Sequence, residues 1–441
     1  MTLPRKSALT LQDERRFIMK RFVYIPWIEA HGDVLLHKVF DGSKDLSLVP
    51  LRLTAKGDND ARRALFHFAL RHPKTYARLF EQRLLQLDQP VHGMVLTLDW
   101  AAPMRIAVEV AQSHGLPVVL LPHEGAFMDE RRFYRDPFSG INCSIADRFL
   151  AWGHLQKNIM VKRGFPAEKV SIVSSPKLQK AAHYTPRLSR EEYCRRLGLH
   201  KDKKIVMFCA QTLDNVAEIK QARMRQAYAV RDLYNACRKS NCQLLVRLPP
   251  VQHETILQRQ LKKMISTELP VFIDPGSSDP ATDPHEATWH ADCVASISST
   301  MLLEKGLMNG PSFAFDYIAE TSPFVARGKL PVVTQEREVL PLLTRLLSEG
   351  HRSFPPEGWQ QLEVDFSDGD FDATNAISDI GEIFQSYQEA FVLSDNTPKA
   401  GGGFIFAEQA RRVHSSIFKA LIRIHIPYRN RLAQFLFPKL P

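Results

Sequence analysis

Residues 291–316, ADCVASISSTMLLEKGLMNGPSFAFD, decide the fold. Residues 293–297 are a short apolar run suited to a buried strand. Ser298, Ser299 and Thr300 form a small hydroxylic turn able to cap a helix. Residues 301–308 are helix formers, Asn309-Gly310-Pro311 stops the helix, and residues 312–315 start a second strand. Strand, turn, helix and strand at this spacing make a βαβ unit, and hence a parallel sheet. A helix start of this kind offers unpaired N–H groups, a natural seat for phosphate. Glu304, one turn along, is placed to accept from a sugar hydroxyl.

The same alternation runs upstream. Residues 204–209, 243–247 and 271–273 read as strands. Helices are expected over 216–239 and 253–266, and residues 275–285 read as a loop. Gln211 and Asp214 follow the first of these strands, and Arg247 closes the second. Nearer the N-terminus, strands are expected at 21–27, 94–98, 118–121, 148–152 and 170–173, with helices over 61–87, 104–114 and 157–163. Asp99 stands at the carboxyl end of one strand, and His123 and Glu124 at the end of the next. Ligands bind beyond the carboxyl ends of strands in open α/β sheets, so these three are candidates for chemistry. Asp99 reads equally as the cap of the helix that follows. Helices are also expected over 185–197, 338–347 and 374–391.

At 441 residues, with 44% hydrophobic and 24% charged side chains, the chain suits two globular α/β domains and excludes disorder. The expected division is one domain over 1–175, a second over 176–396, and a linker with a basic segment over 397–441. The six cysteines lack paired spacing and read as thiols of a reducing compartment. No signal-peptide pattern and no apolar run of spanning length occurs. A cytoplasmic protein is therefore expected.

The second half resembles the donor domain of GT-B glycosyltransferases of the bacterial capsule and lipopolysaccharide type. The residues that carry the resemblance are SISSTMLLEKGLMNGPSFAFD, preceded by LLVRLPP and MFCAQTLD. It is similar to two narrower groups, the capsule β-Kdo transferases through Gln211 and Asp214, and the CDP-glycerol glycerophosphotransferases through Arg247, Pro249 and Asp316-Tyr317. The His-Pro pair of those loops is absent, since Leu248-Pro249 stands there. In the first half LPHEGAF is similar to their His-Gly acceptor loop, with Glu124 inserted between His123 and Gly125.

The resemblance implies two Rossmann-like domains facing a central cleft and a metal-independent transferase. Its nucleotide-activated sugar donor would be used in surface polysaccharide, capsule or lipopolysaccharide biosynthesis. It places Ser298, Ser299 and Thr300 at the donor phosphates and Glu304 at the ribose. Arg247 and Lys305 are read as cations for the leaving group, and His123, Glu124 or Asp99 as the base for a glycan or lipid-linked acceptor. No DxD-like pair calls for a metal, and no cofactor is expected. The alternatives on the same fold are a glycerophosphotransferase and a nucleotide-sugar 2-epimerase. A further alternative is a non-catalytic anion-binding protein.

The net charge of +10 suits an anionic partner. Residues 404–441 concentrate it. After Glu408 they hold no acid, while Arg411, Arg412, Lys419, Arg423, Arg429, Arg431 and Lys439 alternate with Phe418, Tyr428, Phe435 and Phe437. A helix packing back on the first domain, an anionic membrane surface and a nucleic-acid patch all fit this pattern. The membrane surface comes first and nucleic acid is not expected.

Overall fold

The computed structural model describes residues 19–54, 58–123, 143–211, 213, 219–249, 255–265, 268–273, 278–318, 330–369, 371 and 375–393. Twelve strands among them form two parallel sheets of six. The first holds β1 (Lys20–Tyr24), β2 (Leu46–Pro50), β3 (Gly93–Leu96), β4 (Val118–Leu120), β5 (Arg148–Ala151) and β6 (Val170–Ile172), in the order β2-β1-β3-β4-β5-β6. The second holds β7 (Ile205–Cys209), β8 (Gln243–Arg247), β9 (Val271–Ile273), β10 (Cys293–Ser296), β11 (Ser312–Phe315) and β12 (Val332–Val333), in the order β12-β11-β10-β7-β8-β9. These are two Rossmann-like domains. Strands such as β3, β7, β10 and β11 are buried at every position, as a sheet with helices on both faces requires.

Each sheet reverses its winding once. In the first the chain goes from β1 to β2 on one side and then to β3 on the other. In the second it runs β7, β8, β9 and returns to β10 on the far side of β7. The reversals open crevices beyond β1/β3 and beyond β7/β10. At the first, Gly32 lies so close that a Cβ would fall 2.6 Å from Thr97 Oγ1.

The helices follow local chemistry. The apolar and basic stretch over 61–87 forms α2 (Asp58–Arg71) and α3 (Pro73–Leu85), divided where Pro73 opens the second helix. The others of the first half are α1 (Val34–Asp41), α4 (Ala102–Ser113) and α5 (His154–Lys162). The stretch 174–204, read as an interdomain connection, carries α6 (Pro176–Ala182) and α7 (Arg190–Leu197). Ser189 caps α7 through the Glu192 N–H, as its sequence suggests. The second sheet is covered by α8 (Ile219–Lys239), α9 (Thr255–Met264), α10 (Pro284–His290), α11 (Met301–Leu307) and α12 (Glu336–Glu349). The loop expected over 275–285 gives way to α10 at Pro284, where Asp283 Oδ1 accepts from the N–H groups of His285 and Glu286.

The last two helices return to the first domain. α13 (Pro356–Phe366) packs on α5, and α14 (Ala376–Gln385) packs on α1, β2 and α6, so both lie against the first sheet. Phe384 sits 4.9 Å from Phe22 and 4.8 Å from Phe40 between ring centroids, and Tyr387 is 5.5 Å from Phe22. The chain crosses between the sheets twice, side by side: the Ser175 N–H donates to Phe366 O, and the Asp368 N–H to Ser174 Oγ. The end of α13 passes so near Gly153, at φ +113°, that a Cβ would meet Asp365 O at 2.4 Å.

Candidate functional site

The turn after β10 meets the end of β7 at the second reversal. Gln211 Oε1 accepts from both the N–H and the hydroxyl of Ser298, each at 3.0 Å. Gln211 is itself fixed by Gln226 of α8, whose amide pairs with both backbone groups of Gln211. Ser296 Oγ donates to Cys209 O and accepts from the Ser299 N–H, and Ser299 Oγ accepts from the Met301 N–H. The hydroxyls therefore build the turn as well as line it. The structure brings Gln211, Ser298, Ser299, Thr300 and Glu304 into one constellation.

Glu304 is the charged centre of this group and is completely buried. Its Oε1 accepts from Thr300 Oγ1 at 3.1 Å and from Lys177 Nζ at 2.9 Å, and Lys177 Nζ also donates to Thr300 Oγ1 at 2.9 Å. Burial pushes the carboxyl up, but Lys177, His285 and the Thr300 hydroxyl outweigh it and hold it below the usual range. His285 of α10 lies 3.8 Å from Oε2, too far for a hydrogen bond. Burial lowers the affinity of His285 for its proton, against the pull of Glu304. The Tyr184 ring stacks on it at 5.6 Å.

Sequence reasoning missed Lys177, His285, Tyr184 and Gln226. Lys177 stands in a connection with no motif, and only its position one residue after Pro176 at a strand end could have pointed to it. Lys305 corrects an expectation. Neighbours on a helix point about 100° apart, so Glu304 and Lys305 cannot share a target. Lys305 Nζ instead donates to the carbonyls of Thr288 and Trp289 at the end of α10, and burial pushes its pKa down to about 8. Arg247 ends β8, where its charge bears on Cys209 and Tyr193. Asp214 lies outside the described residues.

In the first domain Asp99 and Thr97 lie at the end of β3 and His123 at the end of β4. His123 Nδ1 lies 3.0 Å from Thr97 O. A carbonyl only accepts, so Nδ1 carries the hydrogen and the neutral ring has its lone pair on Nε2. Asp99 is fully buried and does not cap α4, whose N-cap is Ala101. Its Oδ2 accepts from Ser144 Oγ at 2.6 Å and from the Ile145 N–H at 2.9 Å, tying β3 to the approach to β5. Glu124 lies outside the described residues.

A second concavity, of about 660 Å³, opens beside the first half of α8 and the ends of β11 and β12. It contains none of the expected site residues. Its charges are largely satisfied internally: Arg231 pairs with Asp232, Tyr317 Oη donates to Asp232, and Arg225 donates to Tyr317 O. Among the described residues no three His, Cys, Asp or Glu side chains converge as metal ligands, and no helix is long and apolar enough to cross a membrane. All six cysteines are free thiols.

The sequence matches no protein-family model, and no curated protein resembles it in sequence. Its structure is similar to several solved ones. S. aureus MnaA, solved with UDP, matches at 14% identity and a TM-score of 0.56, over 84% of this chain and 97% of that one. The UDP-GlcNAc 2-epimerase of Neisseria meningitidis, bound to UDP-GlcNAc, matches at 11% identity and 0.54, over 83% and 100%. Anabaena HepE, in complex with UDP and glucose, matches at 11% identity and 0.51, over 83% and 100%. At these identities the likeness is one of architecture: the chain has a two-domain fold of the GT-B type, shared with these proteins over nearly their whole length.

Proposed function

We propose that the protein is an enzyme acting on a nucleotide sugar, that the second domain holds the nucleotide, and that the reaction is epimerisation at C2 of the sugar. The observation that carries the nucleotide assignment is the meeting of Gln211, Ser298, Thr300 and Glu304 at the β7/β10 reversal, where doubly wound sheets receive ligands. The Ser-Thr turn would take the diphosphate and Glu304 the ribose. The preference for epimerisation over transfer rests on the likeness to 2-epimerases solved with UDP-GlcNAc. Such a reaction removes the C2 proton and returns one to the opposite face, so substrate and product are isomers and no acceptor or external oxidant enters. Asp99, His123 and Glu124, at strand ends of the first domain, are the candidates for proton handling.

The transferase of surface polysaccharide synthesis that the sequence motifs suggest differs in one respect: it needs an acceptor. Incubation with UDP-GlcNAc alone in D2O separates the two. Deuterium at C2 and a second epimer in the NMR spectrum are expected. Release of UDP only when a glycan or lipid-linked acceptor is added would favour the transferase, and a chain that neither binds nor converts the sugar nucleotide would defeat both readings.

The tail 404–441 supports a cytoplasmic enzyme working at an anionic membrane surface, each basic residue contributing about 1 kcal/mol there. Its removal is expected to abolish co-sedimentation with phosphatidylserine vesicles at low salt. Unchanged co-sedimentation would rule this out.

A further inference from the structure

Lys177 occupies both groups on which the nucleotide reading depends. Its Nζ is 2.9 Å from Glu304 Oε1, the ribose carboxylate of that reading, and 2.9 Å from Thr300 Oγ1, the last hydroxyl of the phosphate turn. Glu304 is completely buried, whereas the Lys177 side chain is 42% exposed. Oε1 already accepts from Thr300 and Lys177, and of these two the half-exposed lysine is the one a sugar hydroxyl can displace. Lys177 also belongs to neither sheet: it lies on α6, in the segment joining the domains, and α6 packs on α11.

We propose that Lys177 is the cation for the anionic part of the ligand, and that it is held in reserve by Glu304 until the ligand arrives. The inference rests on the nucleotide reading above. A ribose hydroxyl takes the ammonium's place on Glu304, and the ammonium turns to the phosphate beside Thr300. This supplies the charge that Lys305, buried under α10, cannot deliver.

The exchange would strand a buried carboxylate if nothing replaced the lysine, since an unpaired buried charge is costly. The structure provides a replacement. Glu304 Oε2 and both ring nitrogens of His285 are buried without a hydrogen bond, and the two groups stand 3.8 Å apart. His285 is only 6% exposed and need move by about 1 Å to reach hydrogen-bonding distance. This unmade pair is the second mark of a site awaiting a ligand.

The exchange predicts that loss of Lys177 weakens a nucleotide but not a nucleoside. Calorimetry on the full chain compares uridine and UDP as probes. K177M is expected to weaken UDP at least tenfold while leaving uridine unchanged or tighter, and K177R to restore UDP to within about threefold. UDP affinity within twofold of wild type in K177M, or equal losses for uridine and UDP, would overturn the proposal. If K177M does not fold, reductive methylation of the wild-type chain reads the same exchange by peptide mass spectrometry. UDP should slow methylation at Lys177 and uridine should speed it; the same direction for both would overturn the proposal. A wild-type chain that binds neither probe removes the nucleotide reading itself, a result distinct from binding that ignores Lys177.

Discussion

Adjacent residues on α11 show how far burial separates similar chemistry. Glu304 keeps its charge because Lys177 and His285 outweigh desolvation. Lys305 donates to two carbonyls of α10, and burial lowers its pKa to about 8 from an ordinary 10.5. The folded value lies below the unfolded one, so the unfolded chain binds the proton more tightly. Lys305 therefore opposes folding fully below about pH 8, and the penalty fades as pH rises towards 10.5. A tenfold change in proton affinity is worth about 1.4 kcal/mol. The stability of wild type relative to K305M is expected to rise between pH 8 and 10, measured by urea midpoints of both proteins at each pH. A constant difference would contradict the assignment. Glu304 and Lys305 read together as one motif, although the helix expected there already turns successive residues about 100° apart. Gln211 and Ser298 read separately, and only the sheet order makes them neighbours.

Among the elements, strands with continuous apolar runs and helices with clear stops were legible, and βαβ spacing gave the parallel sheets. The misses have physical reasons. β2 is not among the expected strands: it carries the polar Ser47 and ends on Pro50, which has no N–H for a ladder. α10 begins within a Pro/Ser/Asp stretch, and its existence depends on Asp283 bonding back to two N–H groups. α13 buries Trp359, Leu362 and Phe366 at helical spacing, but a glycine and two prolines near its start obscured it. α14 was expected, though not its partner. Its Phe384 is buried between Phe22 and Phe40 of the first domain. Phe384→Ala is expected to cost about 3–5 kcal/mol, the range for deleting a buried aromatic ring. The denaturant midpoint of the cooperative transition reports it, and a loss below about 1 kcal/mol would mean that α14 does not seal that face. The connection between the domains is anchored in a comparable way. Buried Glu286 accepts from the hydroxyl of Tyr184, the N–H groups of Arg187 and Leu188, and Nε2 of His290, so this part of the connection is fastened to the second domain.

For the whole molecule, two Rossmann-like domains were readable from the alternation alone, but the path between them was not. α13 and α14 return to the first sheet, a path that no local pattern in the sequence marks. That return bears on how the protein is made. All six strands of the first sheet have been synthesised once residue 172 has emerged. Phe22 and Phe40 still lack their lid until Phe384 and Tyr387 follow, roughly 200 residues and 10–40 s later at ordinary translation speeds. The domain begun first is thus the last to be finished. During that interval a nascent chain on the ribosome displays an aromatic patch that chaperones can grip, and a premature stop late in the message damages the earliest-made half of the protein.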